Sequence, residues 1–214
     1  MLIFGKNLRK FNLKLSKYSE KVFIIAEAAV NGFGSEYIVY KTLEEAKKSG
    51  ADAVKFQHIH VEELYAPGKY KYGSYDIENV RKSRINGLMN LDQIKRVLEY
   101  AKKIDLIVFF TPFGRKALEE LLNAGVNIIK IASADLEYDD LVERAIETKL
   151  DLIMSTAMVD SISLEKKIKD FNRRNLFERT TFMHCVGEYP HENRSSQVGS
   201  IRIIKDKYNG LVGF

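Results

Sequence analysis

The 214-residue chain has a single cysteine, Cys185, so no disulfide within one chain can hold its fold together. Long apolar runs are also lacking: residues 1–21 alternate charged and apolar side chains, which excludes a signal peptide or membrane span there and favours a short hairpin. No glycine-rich dinucleotide or P-loop fingerprint follows an apolar run. With 45% hydrophobic residues, one domain can bury its own core. We expect a cytoplasmic protein that does not bind membranes.

Charge of one sign does not dominate. The 34 basic residues face 29 acidic residues, for a net charge of +5. This balance is a weak bias toward anionic partners and is not typical of a nucleic-acid-binding polycation. The densest basic run, residues 166–174, spaces Ile168 and Phe171 on one face and predicts a solvated helix. We expect small-molecule partners and no nucleic acid.

Continuous apolar runs recur along the chain. Runs of this kind are typical of parallel strands buried on both faces. The predicted strands are residues 22–27, 53–57, 106–112, 128–133, 152–156 and 181–186. Amphipathic helices separate them, with Ser35, Asp139 or Asp140, and Ser163 as candidate N-caps.

The strand spacing of roughly 20–30 residues predicts an α/β fold of the TIM (β/α)8-barrel type. A doubly wound open sheet is the alternative. Residues 211–214 resemble the start of a seventh strand, so we expect a single domain, 1–214, whose barrel is truncated within strand seven and leaves unpaired edges. Residues 58–89 form a long tyrosine-rich insertion. It is equally consistent with a lid over an anionic substrate and with a surface excursion or oligomer contact.

Polar residues follow the apolar runs where each strand ends. Ligands bind at the carboxyl ends of strands in α/β proteins, so these side chains are expected to share one pocket. They are Glu27, Lys55, Gln57, Thr111, Lys130, Ser133, Ser155 and Thr156. Two buried ammonium groups with hydroxyls suit a phosphate, because an unpaired buried ammonium is costly. A salt bridge, with Glu27 as the obvious carboxylate, is the alternative for either lysine.

Six ordered motifs make the chain recognisable. They are IIAEAAVNGFG (24–34), SGADAVKFQ (49–57), FFTPF (109–113), IKIAS (129–133), MSTAM (154–158) and HCVGEYP (184–190). In this order they resemble the sialic acid synthase (N-acetylneuraminate synthase) family. That family condenses phosphoenolpyruvate with N-acetylmannosamine or a related amino sugar on a TIM barrel. The resemblance therefore implies a carbohydrate-biosynthetic transferase.

The resemblance also implies roles for individual residues. Glu27, Lys55 and Lys130 would be catalytic, with Glu27 contacting the acceptor sugar and serving in proton transfer. The implied substrate-binding residues are Gln57, Thr111, Ser133, Ser155, His184 and Tyr189. A core position is an equal alternative for His184. Gly32 and Gly187 depart from the family pattern and leave the acceptor sugar open.

A divalent metal, Mn²⁺ or Mg²⁺, is implied for the complete family enzyme, with ligands beyond Phe214. No metal ligand is assigned within the chain, since His58 and His60 lack an evident third partner. We expect the family's carboxyl-terminal antifreeze-like domain to be absent, and a homodimer is compatible with the resemblance. We expect the isolated chain to be inactive. The alternatives are a non-catalytic homologue that binds a phosphorylated metabolite and an aldolase that forms a Schiff base on Lys130.

Overall fold

The computed structural model describes residues 2–4, 22–30, 34–188 and 190–214. The chain divides into two compact units. The middle unit is Ile25–Asn127, and the terminal unit combines Met1–Ile24 with Ile128–Phe214. The predicted site residues are therefore distributed over both units.

Strands and helices alternate along most of the described chain. The strands are β1 (Leu2–Phe4), β2 (Phe23–Ala29), β3 (Ala53–Ile59), β4 (Lys71–Tyr72), β5 (Tyr75–Asp76), β6 (Ile107–Phe113), β7 (Ile128–Ile131), β8 (Asp151–Ser155), β9 (Thr180–Met183) and β10 (Leu211–Gly213). The α-helices are α1 (Glu36–Lys48), α2 (Val61–Leu64), α3 (Ile77–Gly87), α4 (Leu91–Lys103), α5 (Arg115–Ala124), α6 (Asp139–Glu147), α7 (Ser161–Arg173) and α8 (Ser200–Lys207). Short 3₁₀ helices follow β7, α7 and β9.

The middle unit contains three parallel strands in the order β2-β3-β6. Every residue of β3 except Gln57 is buried, as expected for a strand covered on both faces. Helices α1, α4 and α5 each bury an apolar stripe that includes Leu43, Val97 and Leu118, respectively. The predicted β-α-β arrangement is confirmed for this unit.

Helix ends in the middle unit follow the signals in the sequence. The Ser35 hydroxyl accepts the backbone N–H of Ile38 at 3.5 Å, which confirms the predicted N-cap of α1. Asn90 and Gln93 form a reciprocal capping box at the start of α4. Gly125, with φ +87°, ends α5 in the left-handed conformation that glycine adopts without strain.

The terminal unit contains four parallel strands in the order β7-β8-β9-β10. β1 pairs antiparallel with β10, with Ile3 opposite Gly213, and with the start of β2, with Leu2 opposite Ile24. The prediction of an unpaired edge at residues 211–214 is therefore wrong, because the backbone of Leu2–Phe4 supplies hydrogen-bonding partners there. The hairpin predicted for residues 1–21 lies outside the described residues, except for the strand Leu2–Phe4.

Two predicted helix caps in the terminal unit are wrong. The cap of α7 is Asp160, whose carboxylate accepts the N–H groups of Ile162 and Ser163 at 2.8 Å each. Asp139 and Asp140 lie inside the first turn of α6, where carboxylates interact favourably with the positive end of the helix dipole.

Sequential strand order within each unit agrees with the TIM-type prediction. In a doubly wound sheet the order reverses at a switch point, whereas β2-β3-β6 and β7-β8-β9-β10 each follow the chain without reversal. The structure is thus an α/β fold of parallel strands consistent with a TIM-type barrel. In the part of the chain that is described, no helix is both long and apolar enough to cross a bilayer.

Candidate active site

Lys55 and Glu27 form an ion pair in the middle unit. The two residues are opposite one another on β3 and β2, and Lys55 Nζ lies 2.6 Å from Glu27 Oε2. The Lys55 side chain is 3% exposed, whereas that of Glu27 is 47% exposed. Burial lowers the pKa of Lys55, and the neighbouring Glu27 carboxylate partly opposes this shift. The salt-bridge alternative considered for the lysines is thus present at Lys55.

A second contact fixes the Glu27 carboxylate. Its Oε1 accepts the backbone N–H of Ala29 at 2.8 Å. The register between β2 and β3 shifts between Glu27 and Ala29, and Ala29 has φ +48°. An irregular strand end of this kind redirects a side chain, and an alanine with positive φ stores local strain. The bulge therefore holds Glu27 over Lys55.

Gln57 and Thr111 lie on the same face of the middle unit's sheet. Gln57 is two residues beyond Lys55, and Thr111 is its register partner on β6. Thr111 is 1% exposed, and its hydroxyl has no hydrogen-bond partner among the described residues. A buried hydroxyl without a partner is costly, so this group is suited to donate to a ligand.

Lys130 and Ser155 share a face of the terminal unit. Lys130 is opposite Ile153 on β8, and Ser155 follows two residues later on the same side. The Lys130 side chain is half-buried. Ser155 is 2% exposed, and within the described ranges its hydroxyl also lacks a partner. The structure thus places an ammonium and an available hydroxyl together on this face.

Ser133 and Asp135 lie in the 3₁₀ turn that follows β7. Ser133 Oγ accepts the backbone N–H of Ala157 at 3.0 Å, and its own hydroxyl hydrogen remains a donor. Asp135 was not predicted from the sequence. Burial raises the pKa of its carboxyl group, and Oδ2 is buried without a partner in the described part of the chain. Its position two residues after a serine at a strand end was the available signal.

His184 is engaged with the backbone in the terminal unit. Its Nε2 lies 2.9 Å from the carbonyl oxygen of Ser196, so this ring nitrogen donates to that carbonyl. The ring also lies 5.7 Å from the ring of Phe214. His184 is half-buried and follows the last residue of β9. Its core position and its role in substrate binding both stay predictions. Tyr189 lies outside the described residues.

His58 and His60 lie at the end of β3 and make different contacts. His58 is buried, and its Nε2 lies 2.6 Å from Glu120 Oε2 on α5. His60 precedes α2, with Nδ1 buried and unpartnered among the described residues. No group of three or more His, Cys, Asp and Glu side chains suited to a metal occurs within residues 2–4, 22–30, 34–188 and 190–214.

The insertion at residues 58–89 is anchored within the middle unit. Arg81 binds both carboxylate oxygens of Glu62 at 2.8 and 2.9 Å. Glu63 Oε2 accepts the backbone N–H of Lys116 at 2.7 Å, at the start of α5. A side chain at Gly114 would collide with the side chain of Glu63. These contacts fix the base of the insertion.

The tip of the insertion is an exposed hairpin. β4 and β5 pair antiparallel, with Tyr72 opposite Tyr75. Their side chains are 77% and 65% exposed. The lid and the surface-excursion interpretations both remain predictions.

This chain is similar in sequence to a family of known proteins and to several individual relatives. The NeuB family profile matches residues 42–214. An N,N'-diacetyllegionaminic acid synthase of Legionella pneumophila is 26% identical over 218 residues, which cover 98% of this chain and 61% of the relative. A pseudaminic acid synthase of Helicobacter pylori is 30% identical over 178 residues, which cover 78% of this chain and 50% of the relative. An uncharacterized protein of Methanocaldococcus jannaschii is 29% identical over 195 residues, or 91% of this chain and 55% of that protein.

Solved structures agree with these matches. The crystal structure of an N-acetylneuraminic acid (sialic acid) synthetase from Leptospira borgpetersenii, in complex with citrate, superposes with a TM-score of 0.79 and 26% identity. The match covers 90% of this chain and 64% of that chain. The chain spans between half and two thirds of the length of the relatives described here.

Proposed function

Because this chain belongs to the NeuB family, we propose that it serves the condensation of phosphoenolpyruvate with an amino sugar. The products would be a nonulosonic acid of the sialic acid type and inorganic phosphate. The names of the relatives support this reaction class, since they are synthases of legionaminic, pseudaminic and N-acetylneuraminic acids. The relatives differ in product, so the proposal extends to an amino sugar as a class.

The observation that carries the proposal is the buried Lys55 ammonium on the same face as the unpartnered Thr111 hydroxyl. A desolvated cation beside a free hydroxyl suits a phosphate dianion, which accepts hydrogen bonds from both. In the terminal unit, the half-buried Lys130 shares a sheet face with the unpartnered Ser155 hydroxyl, as judged among the described residues. We propose that Lys55 and Thr111 bind the phosphate of phosphoenolpyruvate in the middle unit. Lys130 and Ser155, with Ser133, are candidates for contacts to an anionic group in the terminal unit.

The chain's own residues have defined parts in the proposed reaction. Lys55 stabilises the phosphate dianion. C3 of phosphoenolpyruvate forms a bond to the aldehyde carbon of the open-chain sugar, and the aldehyde oxygen takes up a proton. Water adds at C2, and the C2–O bond breaks to release phosphate. Glu27, whose carboxylate is half exposed, is assigned to the sugar side and to proton transfer. Gln57 is the neutral donor beside it.

The family resemblance also implies a divalent metal. The residues described do not fit one, because no cluster of three suitable ligands occurs among them and His58 is already paired with Glu120. The proposed roles of the chain therefore concern only binding, orientation and proton transfer by its own side chains.

Calorimetric titration with phosphoenolpyruvate tests the proposal. Lys55→Ala should weaken binding at least tenfold, or about 1.4 kcal/mol, because it removes a charged partner from a desolvated site. Lys167→Ala is a matched control, since it removes an ammonium that pairs with Asp139 on the helical surface. Unchanged affinity in Lys55→Ala would reject this assignment.

Isotope labelling tests the bond that breaks. Phosphoenolpyruvate with oxygen-18 in the bridging position, supplied with amino sugars, should release the label in phosphate. Label in the sugar acid would contradict C–O cleavage. Borohydride trapping of the substrate on Lys130 would instead support the Schiff-base reaction.

A further inference from the structure

The Glu27 carboxylate is the solvent-facing member of the Lys55–Glu27 pair. Its side chain is 47% exposed, whereas the Lys55 side chain beneath it is 3% exposed. The two charged groups are in direct contact at 2.6 Å. An anion that binds Lys55 therefore meets a negative charge already in place.

We propose that Glu27 is an internal counter-ion, which a phosphate dianion displaces from Lys55 when it binds. Glu27 then sets the affinity of this position for anions, in addition to any contact with the sugar. The inference rests on the proposed function, because it takes Lys55 as a phosphate ligand.

The ion pair with Glu27 stabilises the ligand-free protein, because it gives the buried Lys55 ammonium a partner. A buried ammonium without a partner is strongly unfavourable, and the Glu27 contact supplies the missing anion. The same contact opposes ligand binding, because the dianion must replace a carboxylate or lie beside it. The pair thus exchanges one anion for another, and the buried cation is paired in both states.

The second contact of Glu27 lets its carboxylate leave Lys55 without losing its other hydrogen bond. Oε1 is held by the backbone N–H of Ala29 at 2.8 Å, independently of Lys55. When Oε2 leaves Lys55, the carboxylate keeps this bond and is exposed enough to regain water. Thr111 and Gln57, on the same face as Lys55, then provide neutral donors for the incoming phosphate.

Glu27→Gln tests the proposal by removing the charge while retaining an amide oxygen that can accept the Ala29 N–H. Titrated with inorganic phosphate near neutral pH, this variant should bind at least tenfold more tightly than the wild type, or about 1.4 kcal/mol. Glu45→Gln is the matched control. It makes the same change in net charge at a 66% exposed carboxylate paired with Lys48 on α1, and should leave affinity unchanged.

The gain must depend on Lys55. In a Lys55→Met background, Glu27→Gln should give no gain in phosphate affinity, because no ammonium remains to be released. Methionine fills a similar volume without charge, and circular dichroism checks that each variant is folded. If Glu27→Gln still raised phosphate affinity in this background, the counter-ion proposal would be wrong and the effect would be that of a changed net charge.

The two proposals fail differently. If wild type binds phosphate and Glu27→Gln binds it no more tightly, the counter-ion is overturned while the phosphate site stands. If neither protein binds phosphate or phosphoenolpyruvate, the phosphate site is overturned and the counter-ion with it.

Discussion

Replacing Thr111 by valine separates a ligand-binding hydroxyl from a structural one. Valine has nearly the same shape, but a methyl group takes the place of the hydroxyl. In the ligand-free protein this hydroxyl is buried and lacks a partner among the described residues. The substitution should therefore stabilise the empty protein, whereas a hydroxyl with a structural partner would destabilise it on removal.

The magnitudes follow from the environment of Thr111. Leaving a buried donor unpaired costs roughly 1–3 kcal/mol, so Thr111→Val should raise the free energy of unfolding by about 1 kcal/mol. In the complex the hydroxyl would donate to a charged phosphate oxygen, a bond worth about 1.5–3 kcal/mol. Phosphate affinity should then fall at least tenfold.

Thr180→Val is the matched control. Thr180 is 1% exposed, and its hydroxyl also lacks a partner among the described residues. It lies at the amino end of β9, away from the end of the strand where ligands bind. This variant should stabilise the protein to a similar extent and leave phosphate affinity unchanged.

Urea unfolding followed by circular dichroism measures stability, and calorimetric titration with inorganic phosphate measures affinity. The expected signature is opposite changes in the two quantities for Thr111→Val. Loss of stability together with unchanged affinity would show that the hydroxyl has a structural partner and would refute its role in binding.

Two further changes test strain and burial by urea unfolding. Ala29→Gly should raise the free energy of unfolding by about 1 kcal/mol, because Ala29 has φ +48°; a loss of stability would contradict this. Asp151→Asn should stabilise the protein by about 1–2 kcal/mol above pH 6, allowing for partial exposure, and by little near pH 4. Burial raises the pKa of Asp151 from 3.8 to about 6, so the free energy of unfolding of the wild type falls as pH rises through this window. If the stability difference between Asp151→Asn and the wild type did not change with pH, burial of the charged carboxylate would not be its cause.

The strands and most helices were predictable because their signals are local. The start of α1 matched the prediction, since an apolar stripe and the capping residue Ser35 coincide there. The start of α7 was misjudged because both Asp160 and Ser163 can cap a helix, and the better acceptor geometry of Asp160 appears only in three dimensions. The pairing of Leu2–Phe4 with β10 was not predictable, because it joins segments about 200 residues apart.

The residue types of the site were easier to predict than the ion pair between Lys55 and Glu27. Lys55 was recognised because an ammonium is unusual inside an apolar strand, and Glu27 was named as a candidate partner for a lysine. Neither the 2.6 Å contact nor the bulge at Ala29 could be derived, since both depend on the register between β2 and β3. Asp135 was missed because its burial is set by the turn after β7.

An unpartnered hydroxyl is not sufficient to identify a ligand site in this protein. Thr111 and Ser155 share that property with Thr180 and Thr181 among the described residues. What distinguishes the first pair is position, because each lies at or near the carboxyl end of its strand and shares a sheet face with a lysine. Thr180 and Thr181 begin β9 and lie at the opposite end. The combination of strand end, shared face and neighbouring charge therefore supports the phosphate assignment, and the paired valine substitutions test that combination directly.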